Sequence, residues 1–276
     1  MERITRALEL AYAQRESRPV AAPEAKAPAV APPATPSTVD FTDTVMFRTP
    51  AVPLDASVRD NERILPPGAG GPHGGAYKML RTQVLKRMDQ LGANTLGVMS
   101  AGGGEGKTLT AINLAIAVAA DPARTALLVD FDLRNPSIHR RFHHQPAIGV
   151  ETFLHQRGSV RDAMFKVEGY ERLTILPARE RMENSSELLA SARTGEIIAE
   201  IRSRYANRIV IFDLPPALQA DDALALSRHL QAGLLVVGEG RTRRDEMIRT
   251  LQLMQDLPFV GTVLNGSRER IAGQYY

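Results

Sequence analysis

The pattern of apolar and polar positions divides the chain into a regular part, from about residue 76 onward, and an irregular part before it. In the regular part, short apolar runs alternate with stretches in which apolar residues recur every three or four positions. The runs have the length of buried strands, and the recurring spacing is that of amphipathic helices. The predicted strands are 95–100, 125–132, 173–177, 208–213, 233–238 and 259–265, and the clearest predicted helices are 76–90, 106–119, 194–205 and 243–257.

This order of elements predicts one doubly wound α/β domain over residues 76–266. Strands that alternate with helices are joined by right-handed crossovers, which gives a mostly parallel sheet with helices on both faces. The run from Thr125 to Val129 is continuously apolar apart from its first residue, as expected for a strand that is covered on both sides.

The first 75 residues have a different character. Residues 1–17 place apolar side chains on one face of a short amphipathic helix. Residues 18–75 contain 11 of the chain's 18 prolines, mixed with alanine, serine, threonine and glycine. Because such a segment buries little apolar surface and proline lacks a backbone donor, we predict a disordered, flexible linker there.

Composition narrows the function. The chain has no cysteine, which excludes disulfides and thiolate catalysis. Its net charge of +3 is modest and its arginine clusters are interspersed with acidic residues, so no nucleic-acid partner is predicted. No apolar run approaches the roughly 20 residues that span a bilayer, and the N-terminus lacks the apolar core of a signal peptide. A cytoplasmic protein is therefore expected.

The strongest motif is a glycine-rich loop that ends in Gly-Lys-Thr, between a predicted strand and a predicted helix. Glycines allow successive backbone N–H groups to converge on phosphate oxygens, and the N-terminus of the helix adds its positive dipole. Lys107 supplies positive charge for the β- and γ-phosphates, and Thr108 offers a hydroxyl to Mg²⁺. Ala101 stands where the strict pattern has glycine. The predicted ATP-binding residues here are Gly102, Gly103, Gly104, Glu105, Gly106, Lys107, Thr108 and Leu109.

Three aspartates follow two of the predicted strands. Asp130 and Asp132 end one apolar run, and Asp213 ends another. Carboxyl ends of parallel strands form the ligand-binding edge of an open α/β sheet. We therefore predict that Asp130 and Asp213, together with Thr108, hold Mg²⁺, with Asp132 ranked after them.

The segment from Asp130 to Pro136 has the distinctive pattern Asp-x-Asp-x-Arg-x-Pro. Together with several other stretches, it resembles the bacterial tyrosine kinases, a family of P-loop autokinases related to MinD/ParA-type ATPases. The N-terminal residues and the proline-rich segment are also similar to autokinases of exopolysaccharide loci with PEP-CTERM/exosortase systems. The matching stretches are Leu128–Ser137, Phe212–Pro216 with Ala220–Ala223 after it, Leu176–Ala178, Ser186–Leu189 and Gly261–Gly266.

The resemblance implies a kinase that transfers the γ-phosphoryl group of ATP to tyrosines in the C-terminal tail of a neighbouring subunit. Lys107 and Asp213 would bind phosphate and metal. Asp130 would accept the proton of the tyrosine hydroxyl, and Asp132 would assist in positioning. Asn265 would lie near the adenine. The chain ends in Tyr275 and Tyr276, which would be the phosphate acceptors.

The resemblance also implies partners. Relatives associate with, or are fused to, an inner-membrane protein that controls polysaccharide chain length, so we expect a separate membrane partner and a location at the inner face of the membrane. Relatives also form homo-oligomers, often through a Glu-x-x-Arg-x-x-Arg pattern. This chain has Gly75, Lys78 and Arg81 there, so the acidic residue is absent.

Two other functions remain open at this point. One is a MinD/ParA-type ATPase, although those proteins usually carry a second lysine where this chain has Gly102. The other is a nucleotide-binding scaffold of the polysaccharide machinery without kinase activity. The leading hypothesis is an ATP- and Mg²⁺-dependent tyrosine autokinase that regulates exopolysaccharide synthesis or export.

Overall fold

The structure is a computed structural model that describes residues 49–155, 158–203 and 207–267. The predicted helix within 1–17, most of the predicted linker, and Tyr275 and Tyr276 of the predicted tail (267–276) lie outside the described residues.

Six parallel strands form the main sheet, in the spatial order β5-β3-β6-β2-β7-β8. A second, two-stranded parallel sheet pairs β1 with β4. The predicted parallel sheet is thus confirmed, with strand ends that agree within two residues. The strands are β1 (Ala51–Val52), β2 (Thr95–Ser100), β3 (Thr125–Asp130), β4 (Lys166–Val167), β5 (Leu173–Leu176), β6 (Arg208–Asp213), β7 (Ala232–Gly238) and β8 (Phe259–Asn265).

Helices connect the strands, and two 3₁₀ turns occupy Pro67–Ala69 and Val160–Ala163. Among the described residues, none of the helices has the length and apolar character needed to cross a lipid bilayer. The helices are α1 (Ala56–Asn61), α2 (Gly74–Leu91), α3 (Lys107–Ala119), α4 (Ile138–Arg141), α5 (Val150–His155), α6 (Ser185–Leu189), α7 (Ala192–Ser203), α8 (Asp222–Ser227) and α9 (Arg244–Leu253).

The core lies on both faces of the main sheet. One cluster of buried side chains packs α2 and α3 against the sheet, and a second packs against the opposite face with α5, α7 and α8. Strands β2, β3 and β6 are buried almost throughout, which explains their continuous apolar sequence. Because the central strands are covered on both sides, their carboxyl ends are held in fixed positions relative to one another.

The prediction of a flexible linker is wrong for residues 51–75. This part forms β1, α1 and the first 3₁₀ turn, and Ile64, Leu65 and Ala69 are buried in the core. Composition alone does not predict this order, because a few buried apolar residues are enough to order a short segment when side chains far along the chain hydrogen-bond to its backbone.

Two buried polar side chains form hydrogen bonds with the backbone of this segment. Asn113, in the otherwise apolar α3, accepts a hydrogen bond from the Leu65 backbone N–H (2.8 Å) and donates one to the Arg63 carbonyl (3.0 Å). The Tyr170 hydroxyl donates to the Leu65 carbonyl at 2.7 Å, and burial raises the pKa of Tyr170 to about 12. Both backbone groups of Leu65 are therefore satisfied by side chains of the main domain.

Replacing Asn113 with leucine should lower the free energy of unfolding by about 2 kcal/mol, because the buried Leu65 N–H loses its acceptor. Urea unfolding followed by circular dichroism measures the change. Asn61→Leu is the matched control, since Asn61 is exposed at the end of α1. A loss in Asn113→Leu below about 0.5 kcal/mol, the level of an ordinary surface substitution, would contradict a structural role for this amide.

Candidate functional site

The candidate site lies at the carboxyl edge of the main sheet. Strands β3 and β6 are neighbours, and their register sets Asp130 directly beside Asp213. Strand β2 runs on the other side of β6 and ends at Ser100, where the glycine-rich loop begins. The three aspartates and the loop, which are separated by up to about a hundred residues in sequence, therefore share one edge, as predicted.

The loop has the backbone conformation of a phosphate-binding loop. Gly104 and Gly106 have positive φ angles of 76° and 89°, and helix α3 begins at the next residue, Lys107. Gly106 also admits Asn265 from the end of β8, since a Cβ at Gly106 would lie 1.9 Å from the Asn265 amide nitrogen. That amide donates a hydrogen bond to the Glu105 carbonyl at 2.9 Å.

The departure from the strict motif at Ala101 is accommodated. Ala101 is buried, and it is not one of the described non-glycine residues that have a positive φ angle. Its position therefore does not require glycine. Its N–H donates to the carboxylate of Glu105 at 3.0 Å. The buried Glu105 side chain therefore bonds within the loop itself, which leaves its backbone N–H as the group of this residue that could face a phosphate.

Lys107 is the centre of charge in the site. Its Nζ lies 2.7 Å from an Asp132 oxygen and 3.4 Å from an Asp213 oxygen, and it is 8% exposed. Burial opposes the charge of Lys107, but Asp213 and Asp132 outweigh it, so the pKa of Lys107 is raised. The lysine is therefore positively charged at neutral pH.

Thr108 and Asp213 form the adjacent pair. The Thr108 hydroxyl donates to Asp213 at 2.6 Å, and the Ser137 hydroxyl lies 3.5 Å from the Thr108 hydroxyl. Asp213 is fully buried, and this burial raises its pKa despite the neighbouring lysine. A hydroxyl and a carboxylate oxygen thus meet at the first turn of α3, where the sequence predicted a metal.

Asp130 has a different environment from that expected of a group facing substrate. One of its oxygens accepts from the backbone N–H groups of Ser137 and Ile138, at 2.9 and 3.0 Å, and the other accepts from that of Asp132 at 3.2 Å. Burial, and then the charge of Asp213, raise the pKa of Asp130 to about 8. The carboxyl group of Asp130 shapes the loop after β3, whereas that of Asp132 contacts Lys107 directly. The geometry therefore ranks Asp132 above Asp130 for contact with a ligand, the reverse of the sequence-based order.

The loop after β3 is held in place by Arg134, a residue to which no role was assigned from the sequence. Arg134 donates to the buried Asp222, at 3.1 Å, and to the Ser186 hydroxyl, at 3.0 Å. The Ser186 hydroxyl in turn donates to Asp222 at 2.6 Å. The signal was present in the arginine of the Asp-x-Asp-x-Arg pattern, but its partners are 52 and 88 residues away.

The charge balance of the site fits a divalent cation. Two buried carboxylates, those of Asp132 and Asp213, contact the single lysine, so the cluster lacks positive charge. Within the described ranges, no three acidic or histidine side chains converge into a complete metal site. Mg²⁺ in phosphoryl-transfer sites usually has one or two carboxylate ligands and takes the others from phosphate and water. Thr108, Asp213 and Asp132 supply the hard oxygen donors that such an ion needs.

Comparison with known proteins identifies the family. The AAA domain family matches residues 93–231, half of the chain. Tyrosine-protein kinase YwqD of Bacillus subtilis is 29% identical over 194 residues, which cover 70% of this chain and 80% of that protein. The kinase domain of the Escherichia coli tyrosine kinase ETK superposes with a TM-score of 0.65 at 25% identity, over 72% of this chain and 77% of that one. The chain belongs to the bacterial tyrosine kinases of the AAA domain family.

Some members of this family are much longer than the chain. Tyrosine-protein kinase wzc of Salmonella typhi is 30% identical over 200 residues, which cover 72% of this chain but 27% of the relative. This bacterial tyrosine kinase therefore corresponds to about a quarter of the Salmonella protein and to most of the Bacillus protein. The match to the AAA domain family covers the phosphate loop and the aspartates described above.

Proposed function

We propose that this bacterial tyrosine kinase transfers the γ-phosphoryl group of ATP to Tyr275 and Tyr276 of a neighbouring copy, and that this autophosphorylation regulates exopolysaccharide synthesis or export. The observation that carries the proposal is the contact of Lys107 with Asp132 and Asp213 at the start of α3. A positive charge, two carboxylates and a phosphate loop meet there within hydrogen-bonding distance.

Each group has a distinct part in this proposal. The loop N–H groups and Lys107 bind and neutralise the phosphates, and Thr108 and Asp213 hold Mg²⁺ with the assistance of Asp132. The ion, when bound, neutralises charge on the transferred phosphoryl group. The resemblance makes Asp130 the base, but both of its oxygens accept backbone N–H groups. Asp132, whose carboxylate contacts Lys107, therefore accepts the phenolic proton in this proposal.

Polysaccharide assembly is supported by what the relatives are named. One of them is the succinoglycan biosynthesis transport protein ExoP of Rhizobium meliloti, 31% identical over 190 residues. The chain covers 23% of that protein. We propose that a separate inner-membrane polysaccharide co-polymerase supplies to this kinase what the longer relatives contain in one chain.

Labelled ATP tests the proposal directly. Full-length protein incubated with Mg²⁺ and γ-labelled ATP should acquire phosphotyrosine, and the double variant Tyr275→Phe/Tyr276→Phe should lose nearly all of it while still binding ATP. Tyr12→Phe is the matched control, a tyrosine near the other end of the chain, and it should label like the wild type.

The same experiment separates the alternatives. Phosphate release without protein labelling would instead identify a MinD/ParA-type ATPase, and nucleotide binding with neither reaction would identify a scaffold. Both measurements should be repeated with the cytoplasmic part of the membrane partner, because the proposal has this partner stimulate the kinase.

A further inference from the structure

A turn that no motif singled out lies against the phosphate loop. It connects β7 to α9 and is closed by hydrogen bonds around Gly238, whose N–H donates to the Thr242 hydroxyl at 2.8 Å. The Gly238 carbonyl accepts from the N–H groups of Arg241 and Thr242, both at 3.0 Å. A Cβ at Gly238 would lie 3.5 Å from the Glu105 Cα, so the turn and the loop are in close contact.

Arg241 extends from this turn onto the loop. Its Nη1 donates to the Gly104 carbonyl at 2.7 Å, across 137 residues of sequence. Asn265 donates to the carbonyl of the next residue, Glu105, at 2.9 Å. Two side chains from the ends of neighbouring strands β7 and β8 thus hold consecutive carbonyls of the phosphate loop.

Within the described part of the chain, no carboxylate forms an ion pair with Arg241, and its side chain is exposed. The bond to Gly104 occupies one of the five N–H donors of a guanidinium, which leaves its planar face and its aliphatic stem open. An unpaired arginine fixed at the rim of an anion-binding loop is suited to binding part of the nucleotide.

The side of the phosphate loop on which Arg241 lies indicates which part of the nucleotide it would contact. The N–H groups of a phosphate loop converge on the phosphates, so its carbonyls point away from them. Arg241 is anchored to such a carbonyl, next to Asn265, so its guanidinium lies outside the ring of N–H groups and is available to the part of the nucleotide beyond the phosphates. Guanidinium groups stack on planar rings, whereas lysine ammonium groups do not.

We propose that Arg241 is a nucleoside-binding residue of the kinase and that it covers the base and ribose of ATP with its guanidinium and aliphatic stem. The proposal rests on the proposed function, since it assigns a further residue to the same nucleotide site. It makes Arg241 a determinant of ATP affinity rather than of phosphoryl transfer.

The test compares ATP with inorganic tripolyphosphate, which has the phosphates but no nucleoside. Isothermal titration calorimetry with Mg²⁺ should give a dissociation constant for ATP about tenfold higher in Arg241→Ala than in the wild type. The dissociation constant for tripolyphosphate should be unchanged. Arg241→Lys retains the charge and a donor for Gly104, and it should recover only part of the ATP affinity. Arg244→Ala, which removes an exposed arginine from the first turn of α9, is the matched control and should bind both ligands normally.

Four results would overturn the assignment. Equal weakening of ATP and tripolyphosphate would show that Arg241 acts on the phosphates or on the shape of the loop. Full recovery by lysine would show that charge alone matters. Unchanged ATP affinity in Arg241→Ala, in a protein whose wild type binds and transfers phosphate from ATP, would remove Arg241 from the site and leave the proposed function intact. A wild type that binds no ATP would refute the proposed function and this assignment together.

Discussion

Replacing Lys107 with methionine is expected to lower tyrosine autophosphorylation by a factor on the order of 10³, because the cation that contacts Asp132 and Asp213 beside the phosphate loop is removed. Methionine retains most of the length of the lysine stem, so the packing beside α3 changes little. The loss therefore reports the charge and its hydrogen bonds rather than a cavity.

The structure gives a second consequence of this substitution. Without Lys107, Asp132 and Asp213 remain buried at the site without their counter-charge. Buried carboxylates without a partner take up protons, since the charged form is the one that burial disfavours. Stability of the ligand-free variant should therefore decrease more steeply than that of the wild type as the pH rises above about 4, where aspartates ionise in the unfolded chain.

Initial rates of phosphotyrosine formation, at several ATP concentrations, measure the first effect. Lys86→Met is the matched control, because Lys86 is exposed on α2. Thr108→Ala should also be strongly impaired, since it removes the hydroxyl that Asp213 holds at 2.6 Å. Wild-type turnover in both site variants would refute the assignment of the phosphate loop.

Asp213→Asn is expected to lower the rate of autophosphorylation by about 10²- to 10³-fold at ordinary Mg²⁺ concentrations. The amide retains the shape of the side chain, so it still fits the buried end of β6. It loses the negative charge that balances Lys107 and that a divalent cation requires. The loss should therefore appear mainly as a weaker response to Mg²⁺.

A titration of Mg²⁺ at saturating ATP distinguishes this from general damage. The variant should require a higher Mg²⁺ concentration for half-maximal rate, whereas Asp256→Asn, at an exposed aspartate beyond α9, should follow the wild-type curve. An unchanged Mg²⁺ requirement together with a lower rate would contradict a metal-binding role for Asp213.

The central strands of the main sheet were predicted well from the sequence. The apolar runs of β2, β3 and β6 are uniform because both faces of these strands are buried, and uniform burial is readable from composition alone. Since parallel strands present their carboxyl ends at one edge, the same reasoning brought Asp130 and Asp213 beside the glycine-rich loop. The contact of Lys107 with Asp132 and Asp213 follows from that arrangement.

The errors lie where order depends on distant partners. Residues 51–75 have the composition of a linker, yet Ile64 and Leu65 are buried because Asn113 and Tyr170 bind the Leu65 backbone. A polar residue within an apolar helix gives no sign of which backbone it will satisfy. The short helices such as α4, α6 and α8 were missed for a related reason, since four to six residues contain too little periodicity to detect.

The phosphate loop and the family were determined by the sequence itself, because local order in the chain is enough to specify a strand, a glycine-rich turn and a helix with lysine at its start. The tertiary structure alone decided the roles of the side chains around the loop. It directed Asp132 to Lys107 and Asp130 to the backbone of Ser137 and Ile138, and it brought Arg241 from the turn after β7 onto Gly104. These assignments depend on contacts between residues that are close in space and remote in sequence. Hydrogen bonds and ion pairs form only at short range, so their partners are known only once the chain is folded.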